Sequence, residues 1–185
     1  MATTGMLCFE DRGGSLLDNL VDLFERRRVQ QQRMDAPEVR SRFPFQPPDD
    51  VDAVYLDKAG VLFATKAVAA TWDIAERAGV LAFENQRVKS VDGTTVVTDE
   101  CAFEAKTVIC APGAWLSAMA RDFFEFDVPT RVTAECVSYH AAPDTYKVPD
   151  MPVFTMRTDN GLGPYGYYGI PRVDIPGIKV SAHHC

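Results

Sequence analysis

A short apolar run that stops at a proline-glycine pair constrains this chain more than any other feature. Lys106-Thr107-Val108-Ile109-Cys110-Ala111 carries β-branched and small side chains without polar alternation, the pattern of a strand buried on both faces of a parallel sheet. Pro112-Gly113 ends it, and Ala114-Trp115-Leu116-Ser117 opens a helical stretch. Residues 103–117 therefore read as strand, tight glycine turn and helix N-terminus. Glycine at such a turn lets a ligand approach the backbone, and the free N–H groups of a first helical turn favour an anion or an electron-rich ring edge. An ordinary strand-to-helix connection has the same spelling, so the stretch is a ligand candidate on geometry alone.

Composition narrows the function classes. The chain has 185 residues, 46% of them hydrophobic and 24% charged, enough for a sizeable core. A net charge of −7 leaves nothing global to draw the surface to nucleic acid or to an anionic membrane. The one basic run, Arg26-Arg27-Arg28, falls where the first helix should end, and cations are favoured there. No apolar run reaches the ~18 residues of a membrane span, and the first residues lack the charged and apolar regions of a secretory signal. Five cysteines form no C-x-x-C, which points away from a disulfide framework and a zinc site and toward reduced thiols in an intracellular compartment.

Read in order, the chain begins with a strand over residues 5–9 and a turn at Asp11-Arg12-Gly13-Gly14. Ser15 is a candidate cap for a helix carrying Leu16, Leu17, Leu20, Val21 and Phe24 on one face. A second short helix over residues 36–43 has Pro37 in its first turn. Strands over 54–57 and 60–63 precede a helix capped by Thr65 and running to Arg77, with Val68, Trp72, Ala75 and Ala78 along one side and Gly79 as its stop. Further strands are expected at 80–83, 86–88 and 94–98, the last after an Asp92-Gly93 turn. The remainder reads as β-rich, with strands at 131–140, 153–157, 165–170 and 177–183 and a turn at Asp159-Asn160-Gly161. Strands lying so close to both termini suggest the middle of a longer protein.

Several segments together carry a resemblance. Gly60-Val61-Leu62-Phe63, the helix from Val68 to Gly79, Arg87-Val88, Thr107 to Ala111 with Gly113-Ala114-Trp115, Tyr167-Tyr168-Gly169-Ile170-Pro171, and Gly177-Ile178-Lys179-Val180 with His183-His184 occur in the same succession in one family. Thr4-Gly5-Met6-Leu7 and Arg42-Phe43-Pro44 extend the match over almost the whole chain. The sequence resembles the monomeric sarcosine oxidase family, which includes N-methyltryptophan oxidase and the peroxisomal sarcosine and pipecolate oxidases.

The resemblance implies a mixed α/β fold in which part of a doubly wound FAD-binding domain is interleaved with a substrate domain built on a mixed β-sheet. Residues 1–59 would be a first substrate-domain segment, 60–127 a second instalment of the FAD domain, and 128–185 a further β-rich substrate-domain segment. Val88, Gly113, Ala114 and Trp115 would then contact the FAD. Lys179 matches a lysine at the flavin's reactive edge, where a buried cation would stabilise oxygen as it is reduced. His183 matches a histidine beside the substrate amine, four residues along the same strand face. Tyr168 matches a tyrosine of the substrate pocket, and no metal is implied. His184, on the other face, reads as a plain core or surface histidine, and Tyr167 as packing.

The departures from the family are as specific as the matches. Relatives begin earlier, with the glycine fingerprint that cradles a pyrophosphate, and continue into a segment carrying the cysteine that bonds the flavin; Cys185 does not match it. The implied activity is oxidation of a secondary amino acid, N-methylated or cyclic, to an imine, with O2 reduced to H2O2, in a chain present here as an internal fragment. Its partners would be the small amine, O2 and the missing N- and C-terminal segments, in a cytoplasmic or peroxisomal setting. A truncated, non-catalytic product acting by association and a flavin dehydrogenase of the same fold are the alternatives.

Overall fold

The structure, a computed structural model, describes residues 1–158, 165–173 and 175–184, without the side chains of residues 158, 165, 183 and 184. Its strands are β1 (Ala2–Thr3), β2 (Met6–Asp11), β3 (Gln32–Met34), β4 (Val51–Leu56), β5 (Gly60–Val61), β6 (Val88–Asp92), β7 (Thr95–Thr98), β8 (Ala102–Glu104), β9 (Ser138–His140), β10 (Val153–Thr158), β11 (Tyr165–Ile170) and β12 (Ile178–His184). Its α-helices are α1 (Leu16–Arg26), α2 (Ala36–Arg42), α3 (Ala64–Arg77) and α4 (Leu116–Phe124). Two compact units result: Met1–Val68 with Glu135–Cys185, and Ala69–Ala134.

A mixed sheet in the order β3-β4-β2-β10-β11-β12-β9 organises the first unit. Only β2 and β10 run parallel; every other neighbouring pair is antiparallel. Alternation along β2 sends Leu7 and Phe9 to one face and Met6 and Cys8 to the other, so both faces of this strand are apolar. On the Leu7 face, Met34, Val39 of α2, Val51 and Ala53 close a buried cluster, ringed by Phe43, Phe45, Tyr55 and Phe154. On the Cys8 face, Val54 and Leu17 of α1 are buried, with Leu20, Val21 and Phe24 packed against them.

Carboxylates set the starts of α1 and α2. Asp35 Oδ1 accepts the Glu38 N–H at 2.9 Å and Glu38 Oε2 accepts the Asp35 N–H at 3.0 Å, closing a capping box at α2 with Pro37 inside the first turn. At α1 the expected cap from Ser15 is not made. Glu10, the residue of β2 that precedes the turn, accepts from Leu16 N–H at 3.1 Å and Leu17 N–H at 3.0 Å instead. Gly14 permits this, because a Cβ there would lie 2.2 Å from the Glu10 carboxyl carbon. A full negative charge at a helix N-terminus is the better partner than a hydroxyl, which explains why Glu10 displaces Ser15.

In the second unit β6, β7 and β8 form an antiparallel sheet, α4 packs on β6, and the Phe83 and Phe103 rings meet at 5.1 Å. Here several expectations fail. Residues 106–111 belong to no strand and are largely exposed, Ile109 to 86%. A run without its own periodicity becomes a strand only where neighbouring strands pair with it, and no described strand does. Residues 80–83 likewise form no strand. The segment 131–140 is strand only at Ser138–His140, where β12 offers a partner, and 60–63 only at Gly60–Val61, where β1 does. Helix α3 has the expected length but buries no residue; Val68 and Trp72, read as its packed side, are exposed. The short β8 was not anticipated, and the expected turn at Asp159-Asn160-Gly161 lies outside the described residues.

Cysteine environments offer a direct check. Cys8 is buried, and desolvation pushes its thiol above the usual 9.0 despite a side-chain hydrogen bond with Thr155, whereas Cys101, Cys110 and Cys136 are exposed. The thiolate is the reactive form. A maleimide reagent at near-neutral pH should modify the three exposed thiols within minutes and reach Cys8 only on unfolding, as read by mass spectrometry of tryptic peptides. Rapid labelling of Cys8 in the folded chain would contradict the packing of α1 on β2.

Candidate functional site

The β11–β12 hairpin holds the best-supported cluster of the residues singled out in the sequence. Its antiparallel register pairs Tyr168 with Ser181 and Ile170 with Lys179, and β10 adds Thr155 opposite Tyr168. Residues paired in register, or two apart on one strand, share a face. Thr155, Tyr168, Lys179 and Ser181 therefore line the same face, the one that carries Cys8 and α1.

Lys179 Nζ lies over the Tyr168 ring, 5.6 Å from its centroid, and the lysine is half-buried. Among the described residues no ion pair involves it. A cation held by an aromatic face rather than a carboxylate keeps its full positive field available to a ligand. Lys179 also lines a cavity of about 170 Å³ walled mainly by Phe63, Tyr139, Ile170, Pro171 and Ile175. Ser181 contributes no free donor, since its hydroxyl donates to the Cys136 carbonyl at 2.6 Å and reaches the Ala182 carbonyl at 2.9 Å. A second, open cavity of about 480 Å³ lies beside Tyr168, with Leu16, Thr155, Arg157, Gly166 and Tyr167 among its walls.

Lys179 and Tyr168 are thus brought together. His183 pairs in register with Gly166, but its side chain lies outside the described residues, as does that of His184. The other candidates lie in the second unit. Val88 opens β6, partly buried and paired with Thr98. Gly113, Ala114 and Trp115 form a single 3-10 turn leading into α4, so the helix begins two residues later than the spelling suggested. Gly113 has φ +58° and open space where a Cβ would project, and Trp115 is exposed. The turn is thus a glycine turn with an accessible backbone, although no strand leads into it.

Sequence reasoning missed Thr155 and Arg157. The signal was the alternation in Val153-Phe154-Thr155-Met156-Arg157, which separates Thr155 and Arg157 from the packed Phe154 and Met156, but only strand pairing sets Thr155 beside Tyr168.

A planar, reducible ring with a negative edge is the ligand this face suits: one unneutralised cation, one aromatic surface and an apolar surround. The described residues fit that end of a flavin nucleotide better than its pyrophosphate end. The N-termini of α1 and α2 are filled by Glu10 and Asp35, which leaves no room there for phosphate.

Comparison with known proteins leads the same way. The family described as "FAD dependent oxidoreductase" matches residues 2–181. Human peroxisomal sarcosine oxidase is 27% identical over 188 residues, covering 98% of this chain and 47% of that protein. Monomeric sarcosine oxidase of Bacillus sp. strain B-0618 is 24% identical, covering 97% of this chain and 47% of its own length. NikD, described as an unusual amino acid oxidase essential for nikkomycin biosynthesis, superposes with a TM-score of 0.69 at 21% identity, over 97% of this chain and 48% of that one. The chain spans about half the length of the relatives it matches. With a match running through both the mixed sheet and the glycine turn, this chain belongs to the FAD-dependent oxidoreductase family.

Proposed function

We propose that this chain supplies the substrate-facing half of an FAD-dependent amine oxidase acting on a secondary amino acid, N-methylated or cyclic. The observation that carries this reading is the Lys179 ammonium over the Tyr168 ring on the open face of β11 and β12. When bound, FAD would take two electrons and hydrogen from the substrate's C–H and N–H to leave an imine, and pass them to dioxygen as H2O2. The chain's own residues would do the remainder. Tyr168 and Thr155 would wall the amine against the ring. Lys179 would hold positive charge where negative charge develops on oxygen, in an apolar surround that screens little. Val88 and the Gly113-Ala114-Trp115 turn would contact the cofactor through backbone groups, and His183 would hydrogen-bond the amine.

Residues 1–59 and 128–185 would belong to the substrate domain and 60–127 to the FAD domain. The exposed apolar side chains of α3 and residues 106–111 favour a further reading, that polypeptide equivalent to the other half of the relatives' length covers them. That polypeptide would also bring the pyrophosphate fingerprint. The 185-residue chain alone should therefore purify without stoichiometric flavin, and a yellow preparation with equimolar FAD by absorbance would contradict this. A chain completed to family length should turn over N-methyl amino acids with peroxide release in a coupled peroxidase assay. Amine-dependent reduction of an electron carrier with no peroxide would favour the dehydrogenase reading instead.

A further inference from the structure

The open cavity beside Tyr168 is larger than the simplest substrates of such an oxidase require. At about 480 Å³ it equals roughly 16 waters at ~30 Å³ each, several times the bulk of N-methylglycine. Its walls include apolar and aromatic surface from Leu16, Tyr167 and Tyr168 and the Thr155 hydroxyl, and one charged side chain, Arg157. Arg157 extends from β10 two residues beyond Thr155, on the same face, and has no ion pair or hydrogen bond among the described residues. Its nearest acidic neighbour in register is Glu10, paired with Arg157 across β2 and β10. Glu10, however, is turned to α1, both its oxygens accepting from the Leu16 and Leu17 N–H groups. The guanidinium is thus left without the carboxylate that strand register would have offered it.

We propose that Arg157 is a specificity-determining residue that selects substrates bearing a second anionic group. The cavity would take an N-substituted amino acid whose side chain ends in a carboxylate or comparable anion, its reactive amine toward Tyr168 and its distal anion on Arg157. This rests on the amine-oxidase reading given above. The guanidinium presents a planar pair of donors that matches a carboxylate. A protein of net charge −7 repels such ligands globally, so a local cation decides which of them enters.

The test needs no flavin and uses the chain as it stands. N-methyl-L-glutamate and N-methyl-L-norvaline, similar in length but differing in the terminal charge, are titrated into 15N-labelled protein. Movement of the Gly166 and Tyr168 amides and of the Arg157 Nε–H is followed by NMR. The acidic ligand should bind about tenfold tighter or more, the scale of one charge-assisted hydrogen bond. Arg157→Gln should remove the preference and Arg157→Lys should restore part of it. Equal binding of the two ligands, no binding of either, or a preference that survives Arg157→Gln would each overturn the proposal. None of those outcomes bears on the oxidase reading, which is tested by peroxide release and by Lys179 in the completed, flavin-loaded chain.

Discussion

Replacing Lys179 with methionine in a completed, flavin-loaded chain should leave reduction by the amine within about threefold of the parent and slow reoxidation by dioxygen by about 10²–10³, the usual effect of deleting one charge-stabilising group from a preorganised site. The asymmetry follows from geometry. The ammonium lies over the Tyr168 ring at 5.6 Å, on a half-buried side chain that borders a largely apolar cavity of about 170 Å³. Reduction by the amine places no charge on dioxygen, whereas reoxidation does, and that is where a cation in this position would act. Methionine keeps the length of the side chain and its packing on Tyr168, which isolates the charge. Lys179→Arg should recover part of the rate. Stopped-flow absorbance separates the two half-reactions. A variant that reoxidises as fast as the parent would remove Lys179 from the oxygen step.

The second large effect concerns stability. Leu7 is fully buried at the centre of the sheet, on β2 between β4 and β10, against the cluster that includes Met34, Val39 and Ala53. Leu7→Ala deletes three carbons from a site framed on two sides by ladder hydrogen bonds, where collapse is difficult. A loss of about 3 kcal/mol is expected, equivalent to a fall in Tm of roughly 10 °C for a unit of this size. The comparison variant is Ile109→Ala, which removes as much apolar side chain from a residue 86% exposed and should change stability by no more than ~0.5 kcal/mol. Denaturant unfolding followed by circular dichroism and by exchange of the β2 and β10 amides measures both. Tryptophan fluorescence reports separately on the second unit, which holds both Trp72 and Trp115. A large loss in Ile109→Ala would show that residues 106–111 pack as the strand their composition suggested.

That contrast locates what could be read from the residues alone. Segments whose partners lie nearby in sequence, such as the Tyr165–Ile170 and Ile178–His184 hairpin, declare themselves by alternation and by the turns around them. Lys179 and Tyr168 could be named as candidates through resemblance, but their contact depends on register, which a one-residue slip would abolish. Residues 106–111 have the composition of a central strand and lack described neighbours, so propensity has nothing to pair with. The Ser15 cap was a reasonable local expectation, overruled by Glu10, whose reach around the Gly13-Gly14 turn is visible only once the chain has folded. Arg157 escaped notice for the same reason: its unpaired state follows from where Glu10 points.

The central claim is that the β11–β12 face borders the flavin ring. An experimental structure of the completed, flavin-loaded chain tests it most directly. The ring's reactive edge should lie within ~6 Å of Lys179 Nζ, the range over which a neighbouring charge acts strongly on a group, with Tyr168 lining the substrate side. A ring bound elsewhere, with the Lys179 ammonium facing bulk solvent, would contradict the account.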